Sequence, residues 1–96
     1  MKTKNEITRI LKQHKNELIK EFNIKKIGLF GSCSRDEHHE GSDIDILVEL
    51  DDPLGLRFVR LAYVLQELLN SKVDLVSKDA IKPRLWQYIE RDIVYV

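Results

Sequence analysis

Residues 42 to 50 read S-D-I-D-I-L-V-E-L, and Ile44, Ile46, Val48 and Leu50 fall at every second position. A period of two belongs to a β-strand with one apolar face. Asp43 and Asp45 open this strand and point the same way, with Cα atoms roughly 6.5–7 Å apart. Burial makes charge costly, so two acids at the head of such a strand call for a reason.

The segments around it alternate between the helical and the strand period. Ile7, Ile10, Leu11, Leu18 and Phe22 place one apolar face on a helix over residues 4–22, and Asn23 suits its left-handed C-cap. Ile24 to Phe30 predicts a strand that Gly31 and Ser32 break. Residues 33–41 are polar and predict a short turn or helical stub followed by a loop. Asp43 to Leu50 is the second strand, ended by Asp51, Asp52, Pro53 and Gly55. Leu56 to Asn70 carries Phe58, Leu61, Ala62, Leu65, Leu68 and Leu69 at helical spacing. Lys72 to Val76 predicts a short strand and Lys82 to Arg91 a last helix with Pro83 in its first turn. Ile93 to Val96 can add an edge strand. The expected fold is α/β (α+β): a small mixed sheet of three to four strands flanked by helices.

The 96 residues predict a single domain, 1–96. Cys33 is the only cysteine, which excludes an internal disulfide and suits a reducing cytoplasm. No apolar run approaches the ~20 residues of a membrane span, and the charged N-terminus lacks an apolar signal core. Sixteen basic residues balance sixteen acidic ones, which counts against a nucleic-acid-coating role.

A third acid, Asp74, interrupts the apolar run K-V-D-L-V. If its strand neighbours the second, three carboxylates converge on one patch of sheet, with backbones about 4.8 Å apart. Clustered carboxylates stay partly protonated unless a cation holds them. Hard oxygen donors suit Mg²⁺, with Mn²⁺ as the alternative, and two ions about 3.5–4 Å apart are expected. Ahead of the acids stands I-G-L-F-G-S-C-S-R. Gly31 lets a ligand approach the backbone, and Ser32 at the start of a helical turn favours an anion. The Walker A spacing is absent.

Gly31-Ser32, ten residues and Asp43-Ile44-Asp45 together resemble the polymerase-β-like nucleotidyltransferase superfamily. The leading helix and the F-G-S…R…G-S-D-I-D-I-L-V run are most similar to its minimal nucleotidyltransferase (MNT) family. The resemblance implies that Asp43 and Asp45 hold Mg²⁺. It implies that Asp74 completes the metal site and helps deprotonate the attacking hydroxyl. Gly31 and Ser32 would grip the β- and γ-phosphates of ATP, and Arg35 is a further nucleotide-binding candidate. The resemblance also implies an antitoxin paired with a HEPT-domain toxin, transferring AMP from ATP to a tyrosine of that partner. One departure stands out: Asp36 follows Arg35 where family members commonly carry glycine.

Other polar residues have plainer explanations. His38, His39 and Glu40 are adjacent in a polar loop and lack the spacing of zinc ligands. Arg35 suits a salt bridge that pins its turn better than a role in the chemistry, although its fork geometry also suits phosphate. Cys33 has no His-Asp arrangement beside it and is expected to be inert. Tyr63, Tyr88, Tyr95 and Trp86 suit core or interface positions better than a nucleotide-acceptor role. Val59, Tyr63 and Val64 widen the apolar stripe of the Leu56–Asn70 helix toward a partner. The rival to catalysis is a nucleotide- or metal-binding module that neutralises its partner by complex formation alone.

Overall fold

The computed structural model describes residues 2–39 and 41–96. Helix α1 spans Lys4–Phe22. Its N-terminus is closed by a reciprocal capping box: Thr3 accepts from the Glu6 N–H, and the Glu6 carboxylate accepts from the Thr3 N–H. Asn23 ends it at φ 54°, the left-handed cap its type favours. Strand β1, Ile24–Phe30, follows at once, and the single helical turn Gly31–Cys33 breaks it.

Strand β2 is Ile44–Leu50, so Asp43 stands one residue before it rather than within it. Helix α2 is Arg57–Leu69, β3 is Val73–Ser77, α3 is Pro83–Asp92 and β4 is Val94–Tyr95. The third strand and last helix each lie one residue further along the chain than the sequence pattern suggested, and the last strand is one residue shorter at each end. These differences fall at element ends, where periodicity says least.

The sheet runs in the order β3-β2-β1-β4. β1 pairs antiparallel with both β2 and β4, while β2 pairs parallel with β3. A parallel pair needs a crossover, and α2 supplies it. The fold is thus the expected mixed α/β sheet, with four strands and three helices among the described residues.

Register decides which residues share a face. Ile27 and Leu29 lie opposite Val48 and Ile46. Together with Ile44 they face α1 and α2, and pack with Ile7, Leu11, Phe22, Leu61 and Leu65 into one buried core. Burying each large aliphatic side chain here contributes about 1.5–3 kcal/mol. The other face carries Gly28 opposite Leu47, Phe30 opposite Asp45 and Asp45 opposite Asp74. The C-terminal segment closes over part of it. A Cβ on Gly28 would stand 3.0 Å from the Ile93 side chain and 3.1 Å from the Tyr95 ring. No described helix is long and apolar enough to cross a membrane.

Candidate active site

The β2–β3 register sets the site. Parallel strands put opposed residues on the same face, and Asp45 is paired with Asp74. Phe30 lies opposite Asp45 on the other side, so the chain reverses at Gly31 directly beside that carboxylate. Gly31 has φ +71°, and a Cβ there would fall 2.2 Å from Asp45 Oδ2. Only glycine lets the turn adopt this conformation and leave the carboxylate in place.

Asp43 and Asp74 are exposed and Asp45 is partly buried. Burial pushes the Asp45 carboxyl up to about 6, aided by the charges of Asp74 and Asp43 and a hydrogen bond with Asp74; the charge of Arg35 opposes the rise. Asp74 and Asp43 therefore both act on Asp45 electrostatically. Among the described residues, however, no group of three or more His, Cys, Asp or Glu side chains is already gathered closely enough to hold a metal ion. The acids form an open shelf rather than a cage. Its donors are carboxylate oxygens and its most buried member resists ionising without a counter-charge. That chemistry fits a hard divalent cation.

The turn next to the shelf is firmly built. Ser34 is buried, and its Oγ donates to the Gly31 carbonyl at 2.8 Å. The backbone N–H of Glu37 donates to the Ser32 carbonyl at 2.9 Å, while the Ser32 side chain is only half-buried beside Gly31. Asp36 occupies the position where glycine was expected and adopts φ +58°, a left-handed conformation that aspartate tolerates. Its Oδ1 accepts from the Lys4 N–H at the start of α1. The departure from glycine leaves the turn intact.

Arg35 donates through Nε to Glu37 at 3.0 Å and through Nη1 to Asp92 at 2.8 Å. Asp92, at the end of α3, is a participant that the sequence pattern did not signal. Cys33 is fully buried, and its thiol lies 4.0 Å from the Asp43 carbonyl. Burial first, then the charges of Asp45 and Asp36, push its pKa up, so it is a buttress under the acid strand and not a nucleophile.

Two surrounding features stand apart from the acids. A cavity of about 310 Å³ is lined by Lys2, His38, His39, Ser42, Ser71 and Lys72 among others. It includes Ile44, whose side chain faces away from the acid face, and none of the three acids. His38 is half-buried there with Nε2 against the Lys2 carbonyl, rather than solvated as its polar loop suggested. Glu40 lies outside the described residues. Of the aromatic residues, Tyr63 and Tyr88 are 61% and 57% exposed, which removes them from the core.

A nucleotidyltransferase domain model matches residues 11–96. The chain belongs to the nucleotidyltransferase domain family. As a nucleotidyltransferase it is 43% identical to the protein adenylyltransferase MntA of Thermococcus cleftensis, over all of this chain and 98% of that protein. Its fold is similar to a solved toxin–antitoxin structure with AMP-PNP, at TM-score 0.72 and 31% identity, covering 86% of this chain and 69% of the other. It is also similar to an MNT antitoxin solved in complex with a tri-AMPylated Shewanella oneidensis HEPN toxin. There the TM-score is 0.66 and the identity 28%, over 91% of this chain and 69% of the other. The resemblance carried by Gly31-Ser32 and Asp43-Ile44-Asp45 is thus borne out at the level of family, enzyme class and fold.

Proposed function

We propose that this nucleotidyltransferase is a Mg²⁺-dependent protein adenylyltransferase acting as an antitoxin. In this reading it moves AMP from ATP onto a tyrosine hydroxyl of a HEPT-domain toxin and so neutralises it. The observation that carries the reading is the juxtaposition of Asp45, Asp74 and Gly31 at one end of the sheet. The name of the Thermococcus relative and the AMP-PNP and tri-AMPylated toxin complexes support this choice of substrate and partner.

Each residue has a role that its position supports. Asp43, Asp45 and Asp74 would hold Mg²⁺, or Mn²⁺ in its place. The bound cation, as one ion or two, would offset the charge that builds on the attacking and leaving oxygens. Gly31 leaves room for the β- and γ-phosphates against the turn, and the Ser32 hydroxyl donates to them. Arg35 adds a fixed positive charge on the phosphate side. The tyrosine oxygen attacks the α-phosphorus of ATP and forms a new P–O bond. The bond from the α-phosphorus to the bridging oxygen breaks, and pyrophosphate leaves. The tyrosine proton passes to the Asp74 carboxylate. Most of the acceleration comes from holding these groups in line.

A second reading rests on α2. Leu56, Val59 and Tyr63 are 91%, 54% and 61% exposed along one side of that helix. Such a stripe suits a partner's apolar surface, so binding alone can contribute to neutralisation. The lone buried cysteine suits a reducing compartment, and this reading places the protein in the cytoplasm.

ATP labelled at the α-phosphate, mixed with Mg²⁺, this protein and its toxin, tests the reading. The label is expected on the toxin, while γ-label stays in pyrophosphate. Label transfer by neither, or equal transfer by the wild type and Asp43→Asn, rejects it.

A further inference from the structure

The cavity at the entry to β2 and β3 has no part in the chemistry described so far. Its volume of about 310 Å³ lies at the lower end of the range for ligand pockets. Ile7 of α1 and Ile44 at the start of β2 give it an apolar wall, and Lys2, His38, Ser42 and Lys72 give it a polar one. These walls are tied together. His38 Nε2 lies against the Lys2 carbonyl, and the Ile44 N–H donates to the Lys72 carbonyl at 2.9 Å. The Ser42 N–H donates to the His39 carbonyl at 2.9 Å, and the His39 N–H returns a bond to Ser42 Oγ at 3.2 Å. The backbone thus fixes where both lysines begin.

The cavity is cationic. No acid is among the described residues that line it. Neither Lys2 nor Lys72 has an ion-pair partner among the described residues. Ser42 Oγ accepts from His39 and keeps its own proton to donate. Two ammonium groups and a hydroxyl beside an apolar wall suit a carboxylate on a short aliphatic stem.

Its place decides which reactant it meets. In-line displacement puts the attacking oxygen opposite the leaving pyrophosphate. The turn at Gly31 reaches Asp45 from β1, and Asp74 stands on the other flank, on β3. Lys72 directly precedes β3, and Asp43 stands in the chain between Ser42 and Ile44. The cavity therefore adjoins the acids on the side away from the phosphate turn. A chain that presents its tyrosine from that side brings neighbouring residues to the cavity. We infer that this cavity is an acceptor subsite, which takes an acidic side chain of the partner protein close to the tyrosine that receives AMP. The inference rests on the reading of the chain as a tyrosine adenylyltransferase and deepens it. The lysines offset the repulsion that an acidic acceptor meets at the carboxylate shelf, and so select such acceptors.

Initial rates of AMP transfer to the cognate toxin, with toxin and ATP each varied, test it. Wild type, Lys2→Met/Lys72→Met and the charge-preserving Lys2→Arg/Lys72→Arg are compared, with circular dichroism verifying that each is folded. Removing both charges should raise the KM for toxin about tenfold. The KM for ATP should stay within about twofold, because only acceptor binding is lost. The arginine pair should keep the KM for toxin within about threefold of wild type. Replacing the toxin's acids nearest the modified tyrosine by their amides should raise the wild-type KM by the same factor and add little in the methionine pair.

An unchanged KM for toxin in the methionine pair would overturn the proposal, as would fully additive effects of the two sets of changes. A KM for ATP that rises in parallel would overturn it too, by making the cavity part of the nucleotide site. A wild type that transfers no AMP would instead remove the reading on which it rests.

Discussion

Asp45 and Asp74 stand opposite each other on neighbouring parallel strands, and the backbone reversal at Gly31 presses against the first of them. The register makes two carboxylates share a partly desolvated face. Asp45 in consequence holds its proton up to about pH 6, chiefly through burial and then through the charges of Asp74 and Asp43. A group whose pKa is raised by folding stabilises the protein below its unfolded value and loses that contribution as pH rises through the folded one.

The metal-free protein should therefore lose stability between about pH 4 and pH 6 from this group. For a fully buried acid the rise would correspond to ~3 kcal/mol; partial solvent exposure reduces this to about 1–2 kcal/mol. Asp45→Asn should recover that amount at pH 7.5 and nothing at pH 4. Urea unfolding in the presence of a chelator measures it. Equal stability of the variant and the wild type at pH 7.5 would contradict the account of the acid shelf.

Gly31→Ala tests the other half of the contact. The new methyl would lie 2.2 Å from Asp45 Oδ2 in a backbone at φ +71°. Either the carboxylate or the turn must move, at a cost of about 1–3 kcal/mol. Misplacing a positioned ligand should lower transfer by about 100-fold. Thermal unfolding and initial rates of transfer report the two effects separately.

The residues that were legible in the sequence are those whose local pattern matches their final surroundings. The alternation of Ile44, Ile46 and Val48 predicted the core-facing side of β2, because a strand's side chains alternate whatever surrounds it. Asn23 was legible because few residues accept a left-handed cap. Arg35 was legible only as a choice between phosphate and salt bridge. Its partner Asp92 is 57 residues away, and no local period encodes that distance. The burial of Leu47 on the acid face was equally hidden. Leu47 lies opposite Gly28, over which Ile93 and Tyr95 close only once the chain's end has packed back as β4.

Tyr95 offers a test of that C-terminal closure. Its hydroxyl donates to Glu49 Oε2 at 3.1 Å. Burial, then the hydrogen bond and charge of Glu49, push its pKa up to about 12. Folding thus favours the neutral phenol, and stability should fall as pH rises from about 10 toward 12, where the unfolded chain ionises first. The ultraviolet titration component that disappears in Tyr95→Phe should have a midpoint near 12 in the wild type and a lower one in Glu49→Gln. An unchanged midpoint in Glu49→Gln would contradict the contact.

The measurement closest to the central claim is intact-mass analysis of the cognate toxin after incubation with ATP, Mg²⁺ and this protein, with peptide mapping of the modified side chain. The account predicts AMP added at a tyrosine by the wild type and none by Asp45→Asn or Asp74→Asn. Modification by the two variants at the wild-type rate, or a toxin that the wild type neutralises yet leaves unmodified, would contradict it.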